Sequence, residues 1–342
     1  MSWNFLTLPT CSPVCSSRLR PFLWLALALL AGCTATLPPA PDIPATELSA
    51  VPFFAQEDYQ CGPAALATVL SWSGVTITTD ELNRQVYLPG REGSLQLELV
   101  AASRRAQRLP FILTATPQAL FTELAAGHPV LVLQNLAISA LPQWHYAVVV
   151  GYDPQRQRVL LRSGTQERRW ESYTRFMASW RRGAYWAMAI LPPGQLPASI
   201  SADSAAIEIA RNEPLLAPDT TLQAWEGALA RWPDHPDIVF GTANARRQAD
   251  ALPSAAHLYN RLLEHNPAHL AARNNFADLL LHAGCPHAAQ AIIAPALATT
   301  ANLPPAIAAT LGSTAADITR RQTVTAAADP DSCLSLTDTA PR

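Results

Sequence analysis

Apolar residues between positions 51 and 193 recur first at helical spacing and then at strand spacing. The run Gly62–Ser73 has the helical period, with Pro63 in its first turn and Gly74 directly after it. Helices that precede an antiparallel sheet predict an α+β fold. The same pattern predicts a helix starting at Thr79, helices over Ser94–Gln107 and Pro117–Ala126, and strands over Leu109–Thr114, Pro129–Gln134, His145–Tyr152, Arg158–Arg162 and Tyr185–Leu191.

A second block, residues 204–300, is rich in alanine and leucine, and its pattern predicts an all-α domain. Ala255 and Ala289 are 34 residues apart, and so are Tyr259 and Ile293. A period of about 34 is that of the tetratricopeptide repeat, and the block resembles about two and a half such repeats. This resemblance implies a surface that docks a protein partner. A generic alanine-rich helical bundle is the alternative that the pattern leaves open.

The N-terminal residues 1–32 have the layout of a secretory signal. Two arginines precede eleven apolar residues, 21–31, which are too few to span a bilayer as a helix because about 20 are needed. The run ends in LAGC at Cys33, which resembles the bacterial lipobox and implies cleavage before Cys33 and lipidation of its thiol. Thr34 in place of aspartate favours the outer membrane. We therefore expect a lipid-anchored envelope protein that faces the periplasm.

Shifts in composition divide the chain into six segments. A proline-rich composition marks the tether after the signal, and the last forty residues have no sustained pattern, which predicts a mostly disordered tail. The predicted segments are a signal peptide at 1–32, a tether at 33–50, a first folded domain at 51–193, a linker at 194–203, helical repeats at 204–300 and the tail at 301–342.

Charge and cysteine content narrow the function. The 342-residue chain has 24 basic and 26 acidic residues and a net charge of −2, which argues against a nucleic-acid binder. Once the signal is removed and Cys33 is lipidated, Cys61, Cys285 and Cys333 remain, so an oxidising compartment leaves at least one free thiol. Cys285 and Cys333 could pair or stay reduced. Cys285 and His287 supply too few ligands for zinc, and no metal or cofactor is predicted.

The candidate chemistry centres on Cys61 and His145. Cys61 begins an apolar helix, where the helix N-terminus is expected to lower the thiol pKa, and Gly62 leaves room for a substrate backbone. His145 stands at the start of an apolar strand and can act as the base that activates the thiol. Gln56, five residues before the cysteine, could join the Cys61 backbone N–H in an oxyanion hole.

These residues resemble the C39 peptidases, a family of papain-like cysteine peptidases. The matching stretches are QCGPAAL around Cys61 and WHYAVVVGYD around His145, and the resemblance covers Val51 to Leu191. It implies a papain-like C39 domain that hydrolyses peptide bonds through a Cys–His pair. Many members are fused to transporters and process leader peptides after a double glycine. Only the fold and the catalytic chemistry are expected to carry over to this chain.

The sequence departs from the family pattern at two positions. The family glutamine lies six residues before the cysteine, whereas Gln56 lies five before Cys61. The position of the family's orienting aspartate holds Ser163. Asp153 cannot replace it, because eight residues of strand place it about 26 Å from His145. If Tyr152 pairs with Val159 in a hairpin, Ser163 returns beside His145 and is the best candidate orienter.

The leading interpretation is a lipid-anchored cysteine peptidase with a peptide or protein substrate and a protein partner on its helical repeats. Two alternatives remain open. The same Cys–His pair could catalyse acyl transfer, or a degenerate peptidase domain could bind peptides without cleaving them. Retention of both Cys61 and His145 argues against a non-catalytic scaffold, and loss of the aspartate argues for it.

Overall fold

The computed structural model describes residues 37–56, 60–324, 333 and 336–337. The predicted signal peptide, Cys33 and most of the tail beyond residue 324 lie outside these residues. The chain divides into a unit Met1–Pro39 and a unit Ala40–Arg342. The fold and the candidate site belong to the second unit. No helix in the described part of the chain combines the length and the apolar character needed to cross a membrane.

The first folded domain contains both helices and strands. Its strands are β1 Thr46–Glu47, β2 Leu109–Ile112, β3 Val130–Asn135, β4 Trp144–Asp153, β5 Arg158–Ser163, β6 Gln166–Ser172 and β7 Ala187–Leu191. Its helices are α1 Cys61–Trp72, α2 Thr79–Val86, α3 Gln96–Arg105, α4 Pro117–Ala125 and α5 Tyr173–Arg182. The predicted α+β class is confirmed, while the strand β6 and the helix α5 were not predicted.

The strands form one antiparallel sheet in the order β2-β7-β3-β4-β5-β6. The short strand β1 pairs with the far end of β4, at Gly151 and Tyr152, beyond the last residue of β4 that pairs with β3. Residues from 43 to 48 thus belong to the fold, since Ile43 is buried and the Leu48 N–H donates to the Val150 carbonyl. The predicted tether 33–50 is therefore wrong for its C-terminal part.

Helices cover both faces of the sheet. The even-numbered residues Tyr146, Val148 and Val150 of β4 pack in one apolar core with α1, α2 and α3. On the other face, Phe121 of α4 lies 4.3 Å, between ring centroids, from Tyr152 of β4 and also contacts Phe176 of α5. Because successive strand residues face opposite sides, His145 and Tyr146 at the start of β4 belong to different faces.

Helix α1 is the central helix of the domain. Every residue from Gly62 to Leu70 is buried, so its position is set by packing on all sides and not by an amphipathic face. Ser94 lies directly against Gly62, where an added Cβ would stand 2.5 Å from the Ser94 hydroxyl oxygen. At the other end, Gly74 has φ +86°, the left-handed conformation that ends helices, as its place in the sequence predicted.

The hairpin of β4 and β5 sets the register of the sheet at its functional end. Tyr152 pairs with Val159, which confirms the register assumed from the sequence. A bulge between Val149 and Gly151 then shifts the pairing by one residue, so that Val148 opposes Arg162. Ser163 ends β5, and Gly164, with φ +61°, provides the positive φ that a two-residue hairpin loop needs.

The C-terminal block is helical. Its helices are α6 Ala202–Asn212, α7 Pro218–Arg231, α8 Pro236–Gln248, α9 Leu252–His265, α10 Leu270–His282, α11 Pro286–Leu297 and α12 Pro305–Val324. Consecutive helices pack on one another around a shared core, in which the rings of Tyr259 and Phe276 stack with centroids 5.7 Å apart. A helical C-terminal region consistent with repeats is confirmed.

The predicted disordered tail is wrong over residues 305–324, which form α12. Leu311 and Ile318, seven residues apart, are buried in the same core as α10 and α11. The Ala- and Thr-rich sequence shows no sustained apolar pattern. Two buried residues are enough to hold the helix, because the neighbouring helices supply the apolar surface on which it packs. Beyond α12, a Cys285–Cys333 disulfide joins the tail to the start of α11. This settles the pairing that the sequence left open.

The predicted linker 194–203 is fixed to the first folded domain. Glu123 of α4, fully buried, accepts hydrogen bonds from the backbone N–H groups of Ala198 and Ser199 and from the Ser199 hydroxyl. His128 lies 2.8 Å from the same carboxylate. A buried carboxylate without hydrogen bonds would be costly, so these bonds are maintained. They hold the segment that connects the two domains against α4.

Candidate active site

Cys61 is the first residue of α1 and is partly buried. Its thiol is the only free one among the described residues. Burial raises the pKa of the Cys61 thiol above its ordinary value, although the backbone N–H groups of Tyr146, Gly62 and Cys61 itself act in the opposite direction. The expected lowering by the helix N-terminus is therefore present but weaker than desolvation.

His145 and Ser163 meet on the face of the sheet opposite to α1. The His145 Nε2 atom lies 2.8 Å from the Ser163 hydroxyl oxygen, and Ser163 is 1% exposed. Ser163 thus stands where the sequence placed the candidate orienter. Nε2 contacts the hydroxyl, and Nδ1 is the ring nitrogen without a hydrogen-bond partner among the described residues.

Gln56 lies beside the same strand end. Its backbone N–H donates to the Gly164 carbonyl at 3.0 Å, and its Nε2 donates to the Tyr146 carbonyl at 3.4 Å. The segment before Cys61 is thereby joined both to the start of β4 and to the loop after Ser163. In this state the Gln56 amide is bonded to protein backbone, so an oxyanion role requires it to exchange that weak bond for the substrate oxygen.

The four residues singled out from the sequence therefore gather around the first residues of β4. Ser163 contacts His145, Gln56 contacts Tyr146, and the Tyr146 N–H acts on the Cys61 thiol. No hydrogen bond joins the Cys61 sulfur to the His145 ring among the described contacts. Catalytic hydrogen bonds are commonly long without substrate, so the dyad stays a candidate on this geometry.

Asp153 lies at the opposite end of β4. Its carboxylate accepts from the Arg156 backbone N–H and side chain, and from the Arg158 side chain, at 3.0 to 3.2 Å. These bonds hold the pKa of Asp153 below its ordinary value. The carboxylate caps the β4–β5 hairpin and is separated from His145 by the length of the strand.

A buried polar cluster behind His145 was not predicted. Gln134 is the direct cross-strand partner of His145, and its amide donates to Ser179 of α5 at 2.7 Å and to Glu171 of β6 at 3.4 Å. Glu171 in turn accepts from Arg169 at 3.1 Å. The sequence signal for this cluster is weak, because β6 reads as a polar loop and Gln134 as the end of an apolar strand.

The electrostatics of the cluster oppose a charged imidazole. Burial, together with the nearby Arg169 cation, lowers the pKa of His145 to about 4. The Ser163 hydroxyl can accept the ring N–H, but it carries no charge to stabilise imidazolium. Both pKa shifts favour a neutral Cys61 thiol and a neutral His145 ring over a thiolate–imidazolium pair.

Tyr146 and Ser94 complete the surroundings of the thiol. The Tyr146 hydroxyl donates to the Ser94 carbonyl at 3.2 Å, and its ring meets Trp186 edge-on. Burial and the thiol raise the pKa of Tyr146 well above its usual range. Trp144, next to His145, is 53% exposed.

No group of three or more histidine, cysteine or acidic residues within the described ranges could hold a metal ion.

Comparison with known proteins identifies the first domain. Residues 48–188 match the model of the family described as Peptidase_C39 like, and the resemblance drawn from the sequence is confirmed for this region. Over these residues the chain is similar to C39-like peptidases. A comparison with curated proteins gave no match.

Solved structures include three similar domains. A protein from Bacillus anthracis described as a C39-like peptidase is 16% identical, with TM-score 0.38, and the match covers 44% of this chain and 98% of that one. The peptidase domain of Streptococcus ComA, a bifunctional ABC transporter, is 21% identical with TM-score 0.35, over 42% and 98% of the two chains. A double-glycine motif protease from an AMS/PCAT transporter, solved with its leader peptide, is 16% identical with TM-score 0.31, over 44% and 97%.

Proposed function

We propose that this protein is a lipid-anchored cysteine peptidase in which Cys61 is the nucleophile and His145 the base. The observation that carries the proposal is the gathering of Cys61, His145, Ser163 and Gln56 around the first residues of β4, within a C39-like domain. A buried thiol at a helix start, taken alone, would be an ordinary packing residue. The pair becomes reactive when Nε2 of His145 is held by a hydrogen bond and Nδ1 is free to take the thiol proton.

The proposed reaction begins from a neutral thiol and a neutral imidazole. Ser163 accepts the Nε2–H hydrogen bond and keeps Nδ1 unprotonated, so that Nδ1 takes the thiol proton as the sulfur attacks the substrate carbonyl carbon. The Cys61 N–H and the Gln56 amide stabilise the oxyanion. The imidazolium returns its proton to the leaving amine, and water activated by the neutral ring then hydrolyses the acyl-enzyme.

The test is labelling of Cys61 by an electrophilic probe, followed by mass mapping of the modified peptide. We expect His145→Ala to reduce the labelling rate at least tenfold and Cys61→Ala to abolish labelling at this position. Asp153→Ala is the matched control, because it removes a charge from the other end of the same strand. Equal labelling of the wild type and His145→Ala would contradict the proposal.

A non-catalytic peptide-binding domain is the second candidate. The raised thiol pKa, the lowered His145 pKa and the serine at the aspartate position favour it. It predicts that Cys61 reacts no faster than free cysteine and that peptides bind without being cleaved. Acyl transfer by the same pair would instead show as amide products when an amine acceptor competes with water.

The anchor and the helical block are proposed from the sequence. Cys33 would be the lipidated N-terminus of an outer-membrane protein, and Cys33→Ser would then leave an unlipidated form by mass spectrometry. The helical repeats would dock a protein partner, because no nucleophile–base pair stands out in their sequence. A release of Cys33→Ser into the soluble periplasm would support the anchor, and an acyl-free mature wild type would contradict it.

A further inference from the structure

A cation, Arg169, lies behind the polar cluster that adjoins the candidate base His145. Arg169 and Glu171 lie two residues apart on β6, so their side chains share a face of the sheet. Glu171 also bonds Gln134, which is the direct cross-strand partner of His145. Three successive contacts therefore lead from His145 to the Arg169 guanidinium, whose charge acts on the imidazole ring.

The guanidinium of Arg169 has N–H donors that Glu171 does not use. It bonds the Glu171 carboxylate through Nη2 at 3.1 Å, and this is its one ion pair among the described residues. Its side chain is 29% exposed, whereas that of Glu171 is 5% exposed. Glu171 is shared with Gln134 and lies 3.8 Å from Arg175, so the buried acid has other partners. An arginine has five N–H donors, and a second carboxylate can dock on the edge that Glu171 leaves open.

A cation in this place has a definite effect on the reaction. It disfavours the imidazolium that must form when the thiol proton moves to His145, and the Ser163 hydroxyl carries no charge to offset it. A substrate carboxylate bound to Arg169 would neutralise the cation and bring a negative charge toward the ring. The substrate itself would thus supply the negative charge that stabilises the imidazolium.

We propose that Arg169 determines specificity by binding a carboxylate of the substrate, so that the enzyme prefers peptides with an acidic side chain or a free C-terminus next to the scissile bond. The inference rests on the proposed function, since it assumes that Cys61 and His145 react with a peptide. The competing explanation is that Arg169 serves only as the structural counter-ion of Glu171.

Alkylation of Cys61 in the full chain tests this without knowledge of the substrate. Iodoacetate and iodoacetamide have the same reactive carbon and differ in the carboxylate. The measurement is the ratio of the two rates at Cys61, mapped by mass spectrometry and normalised to free cysteine. We expect Arg169→Gln to lower this ratio about three- to tenfold, the range for losing one partly screened charge contact.

Arg168→Gln is the matched control. Arg168 is the neighbouring, exposed arginine, which pairs with Glu47, and its loss changes the net charge equally. The ratio is expected to stay within twofold of the wild type in this variant. If Arg169→Gln fails to fold, Arg169→Met combined with Glu171→Gln removes both charges of the pair and carries the same test. An unchanged ratio on loss of the Arg169 charge, or an equal fall in the control, would overturn the inference.

Two further readouts separate the possible failures. The iodoacetamide rate in the wild type and in His145→Ala reports on the proposed function alone, because that reagent is neutral. Protection of Cys61 by short peptides distinguishes the carboxylate sources: acetyl-Ala-Glu-amide against its glutamine analogue for a side chain, and acetyl-Ala-Ala against its amide for a C-terminus. Protection by at least one acid over its neutral analogue supports the inference, and equal protection within both pairs contradicts it.

Discussion

Replacing Ser163 by aspartate should raise both the pKa of His145 and the reactivity of Cys61. The Ser163 oxygen lies 2.8 Å from His145 Nε2, so a carboxylate placed there would accept the same hydrogen bond with a full charge. Charge-assisted hydrogen bonds are about twice as strong as neutral ones, a gain of roughly 1–1.5 kcal/mol. One pKa unit corresponds to about 1.36 kcal/mol, so the pKa of His145 should rise by about one unit from its value of about 4.

The same free energy would favour the thiolate–imidazolium pair by about tenfold at neutral pH, and the alkylation rate should rise by up to that factor. Ser163 is 1% exposed, so a new carboxylate there loses hydration. Arg169 offsets part of this cost, because the cation that opposes imidazolium in the wild type favours an anion beside it. A gain near neutral pH is therefore expected despite burial.

The assay is the pH dependence of Cys61 alkylation together with an NMR titration of His145. Ser163→Asn is the matched control, since asparagine has the size of aspartate and no charge, and Asp153→Ala controls for acids elsewhere on the hairpin. The reasoning is refuted if a folded Ser163→Asp leaves both the His145 pKa and the alkylation rate unchanged. It is also refuted if Ser163→Asn gives the same increase.

Three further outcomes are expected. Because the pKa of His145 is lowered from 6.5 to about 4, the unfolded chain binds more protons between these values, so the free energy of unfolding should fall on acidification through that window. The contribution is at most about 3 kcal/mol, and a shallower pH dependence in His145→Gln by urea unfolding would check it. Breaking the Cys285–Cys333 disulfide, which joins residues 48 apart, should cost up to about 4 kcal/mol of helical-domain stability, measured as a lower melting temperature for Cys333→Ser. Gly62→Ala should cost about 1–3 kcal/mol because its Cβ would meet Ser94 at 2.5 Å, and pairing it with Ser94→Gly should recover most of the loss in denaturant unfolding.

The resemblance to C39-like peptidases and the candidate site residues could be read from the sequence because they depend on local patterns. A helix that starts at Cys61 and a strand that starts at His145 are set by spacing, proline and glycine. The position of Ser163 followed from counting residues around the β4–β5 hairpin, since a strand has a fixed rise per residue. The bulge between Val149 and Gly151 changed the pairing by one residue without moving Ser163 away from the His145 end.

Only the tertiary structure decided the charge state of the site and the extent of the helical block. The thiol pKa depends on how deeply Cys61 is buried. The His145 pKa depends first on burial and then on Arg169, which β6 brings near across two strands. Likewise, α12 forms because α10 and α11 present a surface for Leu311 and Ile318. Desolvation and contacts between distant segments depend on three-dimensional packing, and a pattern of neighbours along the chain does not contain them.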